Sequence, residues 1–268
     1  MSETYDILVV EDEPVVLAAI RKIIGTENIE MDEALDAERA LSKLNRNTYT
    51  LVFCDLMLPR ISGLDLIQTI KKDFPCVPVV VITGYATLEK ALQSFKIGSF
   101  DFIPKPFDTE VFLGVLRRGL NFSRSILAKG PDQRTFDHIP DAIDKDRSAG
   151  TFYCLGCHAW IKFEERGTVL IGVGETFPGM MGKLSHMEIL VSREEIIQGK
   201  CCAQFLTQDG LVNMFWSPLS GKIEESNDAL AKDIRLIDSD PYDKGWIFRV
   251  APYNFDEEVQ YLTRCEKK

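Results

Sequence analysis

Residues 51–55 read Leu51-Val52-Phe53-Cys54-Asp55, four apolar side chains in a row followed by a lone carboxylate. The same form recurs three times along the first half of the chain. Ile7-Leu8-Val9-Val10 runs into Glu11-Asp12, Val79-Val80-Val81-Ile82 into Thr83, and Phe102-Ile103-Pro104 into Lys105-Pro106. A strand buried on both faces shows a continuous apolar run, and such strands belong to parallel sheets covered by helices. In an open α/β sheet the chemistry gathers at the carboxyl ends of the strands. An acidic pair, a lone Asp, a Thr and a Lys at four such ends predict one acidic pocket that binds Mg²⁺ and accepts a phosphoryl group.

Strand-like and helix-like segments alternate around these runs. Strands are expected at 6–10, 29–32, 50–54, 78–82 and 100–103, and helices near 14–24, 37–45, 63–72, 88–96 and 108–127. Pro14 suits a first helical turn, where its missing N–H costs nothing, and Asp108 can cap the last helix through its side-chain oxygen. This β-α repetition predicts a doubly wound parallel sheet over residues 1–128. Residues 129–150 mix Gly, Pro and many charges and read as a linker. From 151 to 268 the apolar runs are short and separated by Gly: 168–173, 188–191, 203–206, 212–216, 221–224 and 246–250. Close spacing with turn signals predicts a small β-sandwich or barrel-like domain.

Charge narrows the function classes. The net charge is −10, and residues 1–128 carry 14 basic against 18 acidic side chains. Neither half has the basic surplus that nucleic-acid binding needs. No run of about 18 apolar residues occurs, so no membrane span is expected. The acidic N-terminus followed at once by a strand does not read as a signal peptide. The seven cysteines are therefore expected as reduced thiols in a cytoplasmic protein.

The candidate site follows from its donor types. Clustered carboxylates repel one another unless a cation lies between them, and the hard oxygens of Asp12 and Asp55, with Glu11 acting through a water, suit Mg²⁺. Asp55, central and alone on its strand, is the candidate nucleophile, and its attack on phosphorus gives an acyl phosphate. Lys105, the Thr83 hydroxyl and the metal would stabilise the developing charge. Lys105 is expected to matter for signalling more than for folding, its charge being needed only once phosphate is present.

Val-Val-Glu-Asp-Glu-Pro, Cys-Asp-Leu-Met-Leu-Pro, Val-Ile-Thr-Gly-Tyr-Ala-Thr and Phe-Ile-Pro-Lys-Pro-Phe together resemble the receiver domain of two-component response regulators. The likeness covers about residues 4–124. It implies a flavodoxin-like fold in which Asp55 accepts phosphate from a sensor histidine kinase or a phosphotransfer protein. It also implies that the Met57 carbonyl joins Glu11, Asp12 and Asp55 at Mg²⁺. Thr83 and Phe102 would be the switch pair, Lys105 the phosphate-binding lysine, and Lys105–Pro106 a cis peptide. Phe102 stands where the family more often has Tyr.

In the second half, Cys154-Leu-Gly-Cys157-His158 has the C-x-x-C-H spacing of covalent haem attachment. No export signal accompanies it. A structural zinc site wants four ligands and finds no second C-x-x-C, so Cys201, Cys202 or His186 would have to complete it. A redox dithiol is a third reading. Two plain thiols beside a His at a strand start is the preferred one.

Trp216-Ser-Pro-Leu-Ser-Gly-Lys-Ile223, Asn227-Asp-Ala-Leu230 and Asp238-Ser-Asp-Pro-Tyr-Asp-Lys-Gly-Trp-Ile247 are similar to the glycine-cleavage H protein. The likeness also takes in His158-Ala-Trp160 and Gly167–Val173, and spans about residues 156–260. It implies a mostly-β lipoyl-carrier (barrel-sandwich hybrid) fold. That family presents a lipoylated Lys on a hairpin tip, and the ungapped position falls at Gly210. No Lys occurs between Lys200 and Lys222, so no lipoate is expected.

The expected protein is thus a response regulator, not an enzyme beyond its own phosphoryl transfer and dephosphorylation. Its non-lipoylated output domain would bind an unidentified protein, with phosphorylation releasing, docking or homodimerising it. A lipoyl carrier modified elsewhere, for example at Lys200 or Lys222, and a thiol redox sensor are the alternatives.

Overall fold

The computed structural model describes residues 3–84, 88–129, 145–191 and 194–265. The chain divides into two compact units, residues 1–138 and 139–268. Residues 130–144, most of the expected linker, lie outside the described residues.

The N-terminal unit alternates β1 (Thr4–Val10), α1 (Pro14–Ile24), β2 (Met31–Ala34), α2 (Ala37–Leu44), β3 (Thr48–Asp55), α3 (Gly63–Asp73), β4 (Val79–Thr83), α4 (Leu88–Lys96), β5 (Asp101–Pro104) and α5 (Thr109–Lys129). The five strands form one parallel sheet in the order β2-β1-β3-β4-β5. Every residue from Leu51 to Asp55 is buried, as a strand covered on both faces requires. Helix α1 begins at Pro14 and buries Leu17, Ile20 and Ile24, a spacing that puts all three on one face. Ser62 caps α3 by accepting the Asp65 N–H, one of the donors a helix start leaves unpaired.

The largest departure from expectation in this unit is β2, which lies two residues further on than its apolar content suggests. Ile29 is held in a turn by its N–H to the Glu27 carbonyl, and the Asp6 and Ile7 N–H groups both go to the Glu30 carbonyl. Met31-Asp-Glu-Ala34 then pairs with Ile7–Val10. An edge strand needs little apolar sequence, because only one neighbour and part of each face must be satisfied.

The C-terminal unit is mostly antiparallel β structure. It contains β6 (Phe152–Leu155), β7 (Ala159–Phe163), β8 (Val169–Val173), α6 (Phe177–Met181), β9 (Leu184–Ile189), β10 (Glu195–Ile196), β11 (Cys201–Thr207), β12 (Val212–Trp216), β13 (Gly221–Ser226), α7 (Asp228–Lys232), α8 (Leu236–Ser239), β14 (Trp246–Pro252), α9 (Phe255–Glu258) and β15 (Thr263–Cys265). Seven strands pair in the order β10-β13-β14-β8-β7-β6-β15, and three more in the order β12-β11-β9. Tyr153, Phe163 and Phe255 pack edge to face with one another, and Phe205 meets Phe215 across the β11–β12 pair.

Strands β6 and β15 were not legible as strands in the sequence, whereas the strand start read at His158 is that of β7. The turn Leu155-Gly-Cys-His158, closed by the His158 N–H to the Leu155 carbonyl, cuts β6 to four residues. β15 is only three residues long. The cysteines also depart from expectation: Cys154 and Cys265 form a disulfide, their Cα atoms 6.0 Å apart. The antiparallel pairing of β6 with β15 brings together two thiols separated by 111 positions.

Candidate functional site

The pocket forms where the strand order reverses. The chain runs from β1 outward to β2 and then crosses to β3 on the other side, leaving a crevice at the carboxyl ends of β1 and β3. Register fixes what faces that crevice. Val10 pairs with Cys54, Asp55 with Ile82, and Thr83 with Pro104. Glu11, Asp55, Thr83 and Lys105 therefore share one edge of the sheet.

One carboxylate oxygen each of Glu11, Asp12 and Asp55 lies within 4.8 Å of the others. Glu11 and Asp55 are buried and Asp12 is exposed. Octahedral Mg²⁺ places its ligands at about 2.0–2.1 Å, so its trans ligands stand about 4.2 Å apart, and the three carboxylates need only a small inward rotation to share one ion. The donors are all hard oxygens with one side open, which fits a metal that keeps waters and binds phosphate. Met57 lies in the loop after β3, and its N–H donates to Asp55 Oδ1 at 2.9 Å.

Lys105 closes the cluster. Its Nζ lies 2.6 Å from Glu11 Oε2, 2.7 Å from Asp55 Oδ2 and 3.2 Å from Glu13 Oε1. Burial disfavours the ammonium charge, yet the bonds to Asp55 and Glu11 outweigh it and hold the Lys105 pKa above its ordinary value. Burial raises the Glu11 pKa, partly opposed by Lys105. Lys105 is thus the counter-charge of Glu11 and Asp55 within the cluster, a structural tie beside the signalling role expected of it. The sequence also left Glu13 unassigned, though it completes an Glu-Asp-Glu triplet that could have flagged it.

Thr83 is fully buried, and among the described residues its hydroxyl has no hydrogen-bond partner. A buried hydroxyl left unpaired is costly, and this one stands at the edge of the acidic pocket, where a phosphoryl oxygen can accept from it. Phe102 is buried two positions before Pro104, the register partner of Thr83. The Lys105–Pro106 peptide is cis.

Gly63 is a residue that sequence reasoning missed. A Cβ built there would lie 2.0 Å from the Asp55 carbonyl oxygen and 2.6 Å from the Leu56 Cα. Backbone atoms cannot yield as a flexible side chain can, so the loop carrying Asp55 is packed against α3 through a bare glycine. Gly63→Ala is expected to destabilise the domain by about 1–3 kcal/mol as overpacking does, seen as a lower thermal midpoint, and to slow phosphorylation. Wild-type stability and labelling in this variant would show that the loop is slack.

Residues 7–117 match the family description "response regulator receiver domain", and residues 152–268 match "glycine cleavage H-protein". The chain is a receiver domain joined to an H-protein-family domain. The nitrogen assimilation regulatory protein NtrX of Azorhizobium caulinodans is 36% identical over 122 residues, covering 45% of this chain and 27% of that protein. The response regulator protein PilR of Pseudomonas aeruginosa is 38% identical over 110 residues, 41% of this chain and 24% of that protein. The solved receiver domain of NtrX from Brucella abortus is 39% identical, covers 43% of this chain and 98% of that one, and has a TM-score of 0.42. The aligned part of this chain spans about a quarter of the length of these two curated relatives.

The C-terminal unit contains the hairpin on which Gly210 was read from the sequence. Strands β11 and β12 form a hairpin whose tip is Gln208-Asp209-Gly210, all exposed. Gly210 has φ +84°, and a Cβ there would meet nothing within 4 Å. The Thr207 hydroxyl braces the turn, accepting the Leu211 N–H at 2.9 Å. The tip therefore projects freely and carries no amine. One exposed lysine lies beside it: the Lys183 carbonyl accepts the Gln208 N–H at 2.8 Å. Lys183 is 25 positions earlier in the chain, and only the β9–β11 pairing places it there.

The Cys-x-x-Cys-His string is dispersed by the fold. Cys154 is in the disulfide, Cys157 lies in the β6–β7 turn, and His158 is fully buried against the Phe177 ring, 4.7 Å between centroids. Among the described residues the acidic pocket is the sole cluster of three potential metal ligands, which leaves no zinc set around Cys201, Cys202 or His186. No helix of the described residues is long and apolar enough to cross a membrane.

Proposed function

We propose that this response regulator takes a phosphoryl group on Asp55 from the phosphohistidine of a sensor kinase or phosphotransfer protein. Its H-protein-family domain then acts as a non-lipoylated, protein-binding output module. The observation that carries the reading is Lys105 Nζ at 2.7 Å from Asp55 Oδ2, with the buried Thr83 hydroxyl, unpaired among the described residues, at the same edge. An Asp55 oxygen attacks phosphorus, the bond from phosphorus to the imidazole nitrogen breaks, and an acyl phosphate forms. Glu11, Asp12, Asp55 and the Met57 carbonyl would hold Mg²⁺, which supplies charge stabilisation to the transferring group. Lys105 and Thr83 then bind phosphoryl oxygens through a charge and a hydroxyl. Engaging Thr83 draws on the β4 end, and Phe102 on β5 responds, shifting the population between two surfaces. The test is labelling of the full chain by a small acyl-phosphate donor with Mg²⁺, mapped by peptide mass. Absence of label at Asp55 sinks the reading.

No reaction on another substrate is assigned. The net charge of −10 favours a protein partner over nucleic acid, and the cytoplasm is the compartment that suits a kinase-fed receiver. Phosphorylation is read out by docking or release of the output domain or by homodimerisation.

Lys105→Ala should have two separable effects. Without Mg²⁺, Glu11 and Asp55 lose their shared counter-charge and the thermal midpoint should fall. Adding Mg²⁺ should restore most of it, because the ion replaces the ammonium between the carboxylates. Phosphorylation-dependent binding or dimerisation should stay lost in both buffers. A stable variant that switches normally would remove Lys105 from the mechanism.

The output domain should carry no lipoate in cells that lipoylate other proteins, since the exposed tip offers Gln208, Asp209 and Gly210. Intact-mass analysis of native protein checks this. A shift of one lipoyl group mapped to Lys183, Lys200 or Lys222 would return the domain to the carrier class. A second reading, thiol redox sensing, is favoured by the Cys154–Cys265 disulfide.

A further inference from the structure

We infer that Cys154 and Cys265 form a reversible redox-modification site, opened by a dithiol, that latches and releases the last described strand of the C-terminal unit. The inference needs no phosphoryl chemistry at Asp55, so the two readings can fail separately.

Strand β15 is weakly held apart from the disulfide. It is three residues long, lies at the end of the seven-stranded sheet and pairs with β6 alone. None of its three residues is buried, so little apolar area holds it down. Its side-chain contacts include the Thr263 hydroxyl on the Cys154 carbonyl at 3.3 Å and an ion pair of exposed Arg264 with the partly exposed Asp146 at 3.3 Å. Exposed pairs of this kind contribute little. Against this stands one covalent link across 111 positions, the kind of long closure that constrains a chain most.

The link also sits at a place where its loss has consequences. Cys154 and Cys265 pack on a cluster of Phe152, Trp160 and Leu170, with Tyr242 and Trp246 against it. Losing β15 would uncover the hydrogen-bonding edge of β6 and one side of this aromatic cluster. An unpaired strand edge beside apolar surface is a ready site for another strand. Both sulfurs belong to partly exposed residues, within reach of a reductant. In a reducing compartment a disulfide of this sort is a sensing device, not a permanent staple.

The chemistry balances with a dithiol. One thiolate of the dithiol attacks a sulfur of the Cys154–Cys265 bond, which breaks and releases the other cysteine as a thiolate that takes up a proton. The second dithiol sulfur then displaces the first protein sulfur. Two protein thiols are formed, and the dithiol becomes a disulfide. A disulfide oxidant reverses the sequence.

The experiment uses the full chain, equilibrated with the cyclic disulfide of dithiothreitol, which leaves no stable mixed disulfide, or with dithiothreitol itself, and then alkylated in denaturant. Five modified thiols are expected in the oxidised sample and all seven cysteines in the reduced one, with the pair mapped to Cys154 and Cys265. Hydrogen exchange of peptides covering 263–265 should become about tenfold faster or more on reduction, as expected when a segment opens locally. Cys265→Ser should show the fast exchange in both buffers, and Cys157→Ser should keep the wild-type response. Seven thiols in both samples, a disulfide that instead includes Cys157, Cys201 or Cys202, or wild-type exchange at 263–265 that ignores reductant would each overturn the inference. The wild-type measurements decide it even if Cys265→Ser does not fold.

Discussion

Asp55→Asn is expected to reduce phosphoryl incorporation to background while leaving the fold intact. Asn is nearly isosteric with Asp, and its carbonyl oxygen can still accept the Met57 N–H that now reaches Asp55 Oδ1 at 2.9 Å. The geometry of the loop should therefore survive. Its chemistry should not, because an amide lacks the anionic oxygen that attacks phosphorus and cannot yield the acyl phosphate. The substitution also removes one charge from a cluster of three carboxylates, so Mg²⁺ affinity should fall with it. The measurement is label per chain from an acyl-phosphate donor, with peptide mapping. Undiminished label in the variant would sink the assignment, and wild-type label on Glu11 or Asp12 would move the nucleophile to β1.

Arg118→Ala is expected to cost about 3–5 kcal/mol, the range found when one member of a buried ion pair is removed. Arg118 on α5 and Asp101 on β5 are both fully buried and joined by an ion pair. The Asp101 carboxylate also accepts the N–H of Phe102 at 2.8 Å, which ties the pair to the backbone at the switch position. Without Arg118, a carboxylate is left buried without its counter-charge. Urea unfolding of the full chain, read on a probe in the receiver domain, measures the loss. The double substitution Asp101→Asn with Arg118→Met should recover much of it, because the amide keeps an acceptor for Phe102 and neither charge remains. A single variant within about 0.5 kcal/mol of wild type, the ordinary range for surface changes, would show that water reaches Asp101 and that the pair does not anchor α5.

The sequence by itself determined which residues lie at the ends of four of the five parallel strands and what chemistry they can do. Leu51–Cys54 and Val79–Ile82 can be buried only between two helical layers, so Asp55 and Thr83 emerge at their carboxyl ends whatever the rest of the chain does. Pro14 set the start of α1 in the same local way. The hairpin turn at Asp209-Gly210 was likewise legible, because an exposed tip is marked by its own turn residues. The tertiary structure decided the partners. It placed Lys105 on Glu11 and Asp55, Arg118 on Asp101, Lys183 beside the Gln208 tip, and Cys265 against Cys154. These contacts join residues from 17 to 111 positions apart. Periodicity and turn chemistry report how a segment meets its immediate surroundings. Which segment lies next to it depends on sheet order and register, and these are set by the packing of the whole domain.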